Sequence, residues 1–145
     1  MESKIGLASD HAGYEIKEHI RESLDKKNIP YIDYGTYSAE STSYAGYGHR
    51  LAQAIEEKEV QKGIAVCGSG NGINMTLNKH QGIRAALCWC EEIARLARAH
   101  NDANVLSLPG RFVSGELAEK IVSVFLDTPF EGGRHQSRVD AVDIR

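Results

Sequence analysis

Short apolar runs alternate with stretches of helical periodicity along the whole chain. Ile5-Gly6-Leu7-Ala8 predicts a buried strand, and residues 14–27 predict a helix because Ile16, Ile20 and Leu24 recur on one face. Tyr31-Ile32-Asp33-Tyr34 predicts a second strand stopped by Gly35, and residues 48–59 a helix that buries Leu51, Ala52 and Ile55. Gly63-Ile64-Ala65-Val66 predicts a third strand, residues 83–88 a fourth, and residues 91–100 a helix. Asn104-Val105-Leu106-Ser107-Leu108 predicts the fifth strand, followed by a helix over 115–126 with Leu117, Ile121, Val122 and Phe125 inward. Strands separated by such helices form βαβ units with right-handed crossovers. The expected architecture is a single-domain, three-layer, Rossmann-like α/β fold, a five-stranded parallel sheet with helices on both faces.

In such folds ligands bind at the carboxyl ends of the strands. That rule singles out Ser9-Asp10-His11, Gly35-Thr36, the run from Cys67 to Gly72, and Pro109-Gly110-Arg111. No repeat or linker interrupts the chain. The tail over about 129–145 is polar, basic in patches, and too short for a second domain.

Composition narrows the class without changing this picture. The 145 residues are 41% hydrophobic and 26% charged, the balance of a soluble globular domain. A domain of this size can bury about 70% of its unfolded surface and needs no disulfides. The net charge of −3 and the lack of a basic arm argue against nucleic-acid binding. No stretch approaches the length of a membrane span, and Met1-Glu2-Ser3-Lys4 does not open a signal peptide. Three cysteines without an obvious pairing read as reduced thiols in a cytoplasm.

The chemistry concentrates in Val66-Cys67-Gly68-Ser69-Gly70-Asn71-Gly72. Glycines at alternate positions let the backbone turn tightly and aim N–H groups at one point, and a helix that follows adds positive potential. The result is a cradle for a phosphate or for an oxyanion formed during a reaction. The pattern G-x-G-x-G after the third strand is neither the dinucleotide fingerprint nor a P-loop. A cysteine phosphatase needs an arginine six residues after the cysteine, where Ile73 stands. A strand-closing buried cysteine is the plain alternative for Cys67; its place beside the anion cradle favours a nucleophile or a base.

Asp10-His11 suits sugar hydroxyls or acid–base work, and Asp10 also suits a helix cap. His100-Asn101-Asp102 ends a helix, where a histidine interacts favourably with the helix dipole. Arg134 and Arg138, four apart after Gly132-Gly133, share a helix face that suits a phosphate, and Arg111 is a third candidate cation. His19, His49 and His80 show no evident partners. Cys88-Trp89-Cys90 lacks the further ligands of a zinc site, so no metal is assigned.

Taken in order, these segments resemble the B-type ribose-5-phosphate isomerases and their galactose-6-phosphate relatives. The matching stretches are Ser9-Asp10-His11-Ala12-Gly13, Gly35-Thr36, Cys67-Gly68-Ser69-Gly70-Asn71-Gly72-Ile73, Asn78-Lys79, Gly82-Ile83-Arg84-Ala85, His100-Asn101-Asp102-Ala103-Asn104-Val105, Gly110-Arg111 and Glu131-Gly132-Gly133-Arg134-His135-Gln136-Ser137-Arg138-Val139. The resemblance implies a cofactor-free aldose–ketose isomerase acting on ribose 5-phosphate and ribulose 5-phosphate. It assigns Cys67 as the base, His100 to ring opening, and the loop Gly68, Ser69, Gly70, Asn71 and Gly72 to enediolate stabilisation. It assigns Asp10, His11 and Asn101 to sugar oxygens, and Arg111, Arg134 and Arg138 to the phosphate. It also implies that the tail reaches a neighbouring subunit's site, hence a homodimer, or a tetramer made of two. Where the family commonly has Asp-Tyr-Pro before the second helix, this chain has Ser43-Tyr44-Ala45. Tyr44 is retained as a candidate substrate contact, and the change leaves open an aldohexose 6-phosphate of the allose or galactose type. A non-catalytic sugar-phosphate-binding module is the reading from another class.

Overall fold

The computed structural model describes residues 4–144. The first three residues, where the leader reading falls, and Arg145 at the end of the tail lie outside the described residues. The described elements run β1 (Ile5–Ser9), α1 (Tyr14–Lys26), β2 (Tyr31–Asp33), α2 (Tyr44–Glu56), β3 (Lys62–Cys67), α3 (Asn71–Leu77), β4 (Ala85–Leu87), α4 (Glu91–Ala99), β5 (Val105–Pro109), α5 (Gly115–Asp127) and α6 (Arg134–Asp140). All strand pairs are parallel, in the order β2-β1-β3-β5-β4. The three central strands are apolar on both faces, as a sheet covered by helices on both sides requires.

Two clusters make the core, one on each face of the sheet. On one, Ile20 and Leu24 of α1, Ala94 and Ala97 of α4, and Ile121 and Phe125 of α5 pack on Leu7, Val66 and Leu108. On the other, Leu51 and Ala52 of α2 and Ile73 and Leu77 of α3 pack on Ala8, Ala65 and Val105. Lys17 is 1% exposed, and its Nζ lies 2.6 Å from Asp33 Oδ2, so a buried ion pair ties α1 to β2.

Two elements depart most from the sequence reading. The second helix starts at Tyr44, not residue 48, because Ser43 caps it: its hydroxyl accepts the Ala45 N–H at 3.2 Å. The fourth strand covers only Ala85–Leu87, because only those residues pair with Val105, Leu106 and Ser107 of β5.

The strand order reverses at β1. Its neighbours are β2 on one side and β3 on the other, and a crevice opens between the carboxyl ends of β1 and β3. Helices α4 and α5 run back against the strands. The loop after α4 and the segment after α5 therefore lie at the opposite, amino-terminal end of the sheet.

Candidate active site

Ser9 and Cys67 end the two strands that flank the reversal, so Asp10-His11 and Cys67-Gly68 leave side by side. Together with Arg111, which follows β5, they line a cleft of about 490 Å³. Tyr44 and Thr42 form its far wall. Cys67 is 4% exposed, closing the strand and facing the cleft at once.

Each side chain is held by local structure. Asp10 is buried, and its Oδ1 accepts the Gly13 N–H at 3.0 Å, so it secures the turn into α1. The N-cap of α1 is Gly13, not Asp10, so Asp10 holds the turn before the helix instead of capping it. The backbone of Thr42 meets His11 Nδ1, with N–H and carbonyl both at 3.1 Å. One ring nitrogen is thereby engaged by the loop, and Nε2 is the other. Tyr47 stands behind this loop, and hydrogen bonds with Thr36 and Thr42 hold its phenol below its ordinary pKa.

The glycine-rich loop turns as its composition requires. Gly70 has φ 79°, and a Cβ there would meet Leu87 Cδ1 at 2.4 Å, so both conformation and packing demand glycine. Ser69 is exposed and its Oγ accepts both the Asn71 backbone N–H at 3.3 Å and the Asn71 side-chain amide at 3.1 Å. The Arg111 guanidinium lies over Gly68: a Cβ built there would be 3.2 Å from Nη1. The Arg111 N–H donates to the Gly68 carbonyl at 2.9 Å, which fixes the arginine's start against the loop. Helix α3 begins at Asn71 and has only seven residues, so the positive group placed against this loop is the Arg111 guanidinium over Gly68.

The remaining expected residues lie elsewhere in the chain. His100 is the C-cap of α4, and Asn101 is exposed in the loop that enters β5 at its amino end. From there the five residues of β5 rise ~16 Å to the end where Cys67 stands. Arg134 and Arg138 lie on α6, exposed, as their spacing predicts. The segment before α6 is pinned to α4, because the Glu131 N–H donates to the Ala99 carbonyl at 3.0 Å. Within one chain, Asp10, His11, Tyr44, Cys67, Gly68, Ser69, Gly72 and Arg111 thus line one cleft, with Gly70 and Asn71 in its loop. His100, Asn101, Arg134 and Arg138 form a second group at the far end of the sheet.

Several residues escaped the sequence reading. Asp102 has φ 48°, and its loop is clamped by two arginines. Arg98 Nη1 donates to Asp102 Oδ1 and to the Ala103 carbonyl, both at 2.8 Å, while its Nε donates to the Thr128 carbonyl at 3.1 Å. Arg84 Nη2 donates to the Asp102 carbonyl at 2.9 Å. These bonds fix the loop that follows His100 and carries the exposed Asn101. His135 stacks on His100, with centroids 4.3 Å apart and planes 13° from parallel. The histidines left without partners do have them: His19 Nε2 meets Glu119 Oε2 at 2.7 Å, and His49 Nδ1 meets His80 Nε2 at 2.7 Å, with His80 Nδ1 on Glu56. Among the described residues, no helix is long and apolar enough to cross a membrane.

Comparison with known proteins agrees along almost the whole chain. Residues 5–142 match the family model described as Ribose/Galactose Isomerase. The ribose-5-phosphate isomerase B of Escherichia coli K12 is 44% identical over 139 residues, covering 96% of this chain and 93% of that protein. A crystal structure of a ribose 5-phosphate isomerase from Thermotoga maritima superposes with a TM-score of 0.96 at 48% identity, covering 99% of each chain. A Mycoplasma genitalium ribose-5-phosphate isomerase B, solved with bound ribulose-5-phosphate, has a TM-score of 0.92 at 40% identity, covering 98% of this chain and 95% of that one. With the family's fold, its cleft at the β1–β3 reversal and a match over residues 5–142, this chain belongs to the ribose/galactose isomerase family.

Proposed function

We propose that this protein interconverts ribose 5-phosphate and ribulose 5-phosphate through an enediolate, with Cys67 as the base. The observation that carries the reading is the convergence of Cys67, Asp10, His11 and Arg111 on one cleft at the strand-order reversal. The relative with bound ribulose-5-phosphate shares this fold at 40% identity and supports the choice of a pentose phosphate.

In the open-chain aldose, the C2 proton is acidic because the C1 carbonyl accepts the charge. The Cys67 thiolate takes that proton, and the electron pair forms the C1–C2 double bond of an enediolate with negative charge on O1. A proton passes from O2 to O1, and the thiol returns its proton to C1, which leaves the ketone at C2. The Gly68–Gly72 loop, apart from the Asn71 N–H that Ser69 holds, offers its N–H groups to the developing oxyanion. Asp10 and His11 hold sugar hydroxyls, and Tyr44 bounds the sugar's far side. The phosphate sits away from the reacting carbons, so its binding serves to position them.

His100, Asn101, Arg134 and Arg138 enter this scheme from a second copy of the chain. They are at the wrong end of the sheet to meet their own Cys67, and they are exposed or half-exposed on a loop and a short helix aimed outward. In a homodimer in which the end of one sheet carrying α6 faces the other's cleft, His100 would open the furanose ring and the arginines would close on the phosphate. The tail from about 129 onward then packs on the partner subunit.

Replacing Cys67 with alanine tests the chemistry, with turnover and ligand binding measured on the same sample. Loss of turnover with retained binding supports the assignment; unchanged turnover overturns it. Comparing ribose 5-phosphate with allose 6-phosphate tests the sugar, and a strong preference for the hexose would overturn the pentose assignment.

A further inference from the structure

The side chains of His100, Glu131 and His135 bring three potential ligand atoms close together. Each offers one atom, and the three atoms lie within 4.8 Å of one another. His135 Nε2 is 3.5 Å from Glu131 Oε1, and His100 Nε2 is 3.9 Å from the same oxygen. A tetrahedral zinc ion with bonds of about 2.05 Å separates its ligand atoms by about 3.3 Å. The two ring planes are only 13° apart, so their in-plane lone pairs run nearly parallel, and the half-exposed His100 must turn out of the stack for all three to enter the ion's coordination sphere.

The frame around Glu131 and His135 is fixed. His135 is buried and stacks on His100. Glu131 is anchored through its backbone to Ala99 at the end of α4. His100 itself caps α4, and the loop after it is clamped through Asp102 by Arg98. Two imidazoles and a carboxylate are borderline ligands that suit Zn²⁺ and its first-row neighbours better than Mg²⁺ or Ca²⁺. Three protein ligands leave one position for water, and in the dimer proposed above the cluster would meet solvent through the partner's cleft, by which such an ion would enter and leave.

We infer that His100, Glu131 and His135 form a binding site for a divalent transition-metal ion of the zinc class, and that occupancy inhibits the enzyme. The inhibitory part rests on the ring-opening role proposed for His100. A metal on Nε2 takes the lone pair that this nitrogen needs to move a proton. The site is thus a reversible off-switch built on the proton-transfer group, not a cofactor site for turnover.

The test is a titration of the full chain with Zn²⁺ in competition with a chromophoric chelator, repeated with Co²⁺ and followed by absorption. One ion per chain is expected, with visible Co²⁺ bands and no near-ultraviolet thiolate charge-transfer band. Glu131→Gln, an exposed substitution that leaves packing intact, and His135→Gln should each weaken binding by about tenfold or more, while Cys67→Ala leaves it unchanged. Zn²⁺ should suppress isomerisation with the same midpoint as binding, and a chelator should restore it. Absence of stoichiometric binding, binding insensitive to both Gln substitutions, or a thiolate band lost with Cys67 overturns the site. Stoichiometric binding through these ligands without loss of turnover upholds the site and overturns the ring-opening role of His100, so the two failures are distinguishable.

Discussion

The ring of Tyr44 rests directly on the backbone of Gly72: a Cβ built on Gly72 would lie 2.4 Å from Tyr44 Cζ and 2.6 Å from both Cε atoms. Gly72 lies in the first turn of α3 and Tyr44 in the first turn of α2, so this contact joins the starts of two helices across the cleft. Alanine at 72 would favour the helix by about 1 kcal/mol but must push the ring aside. The ring is 41% exposed and can swing outward. Gly72→Ala should therefore leave the melting temperature unchanged or slightly raised while KM for the sugar phosphate rises several-fold. Tyr44→Ala combined with it should be no worse than the poorer single variant, as kinetics of the four proteins would reveal. Additive losses would show that Tyr44 and Gly72 act separately.

Cys67 is a second point of attack. Positioned proton transfer contributes about 10²–10⁴-fold to rate, so Cys67→Ala should lower kcat by at least that range. The substitution removes one atom from a residue already 4% exposed, so circular dichroism and ligand binding should be nearly unaltered. A retained kcat would transfer the base to another group in the cleft.

Not every thiol should react. Burial, aided by the nearby Cys90, pushes the Cys88 thiol up to about 12. At pH 8 its thiolate fraction is then on the order of a thousandfold below that of a free cysteine. Iodoacetamide on the native protein should spare Cys88, which is fully buried, and modify Cys90, which is partly exposed. Mass spectrometry after labelling in native buffer and in urea would check this, and rapid native labelling of Cys88 would contradict its burial.

The sheet was legible because buried parallel strands leave unmistakable apolar runs: Ile5-Gly6-Leu7-Ala8 and Gly63-Ile64-Ala65-Val66 both form strands of one parallel sheet as expected, although their being neighbours was not foreseen. The fourth strand was drawn too long at Ile83, which is apolar for reasons of burial, while Cys88 lies just past the paired register with its N–H donating to the Ser107 carbonyl at 3.0 Å. The start of α2 was missed because Tyr44-Ala45-Gly46-Tyr47 has no apolar period, and only the Ser43 cap announces it. The candidate site residues were named from the sequence, but not their division between the two ends of the sheet. That division depends on the direction in which α4 and α5 return, which spacing along the chain does not encode. The contacts of His11 with Thr42 and of His49 with His80, each 31 residues apart, are tertiary for the same reason.

Arg98 should be a stability residue despite its distance from the cleft. It is 7% exposed and satisfies Asp102 and the carbonyls of Ala103 and Thr128 together. Arg98→Met would leave these acceptors without their donor and release the loop that carries His100. Breaking a buried, hydrogen-bonded pair costs about 3–5 kcal/mol, discounted here to about 3 because Asp102 is 36% exposed. The melting temperature should fall by about 10 °C, read by calorimetry. A fall of only a degree or two would show that water replaces the guanidinium without penalty.

The two-ended arrangement makes the strongest prediction for activity. Cys67→Ala and His100→Ala should each be inactive alone, because every site then lacks its base or its ring-opening group. Mixed, unfolded and refolded together, half of the dimers would carry one chain of each kind. In each mixed dimer, the Cys67 of one chain meets the His100 of the other, while the opposite site lacks both. Activity should therefore recover to about a quarter of wild type by random assortment in a twofold dimer. If each chain used its own His100 beside its own Cys67, no mixture would recover, and the same kinetic assay on the refolded sample would read zero. Arg134→Ala mixed with Cys67→Ala should show the same rescue in KM, since the arginines travel with His100 on the end of the sheet opposite the cysteine.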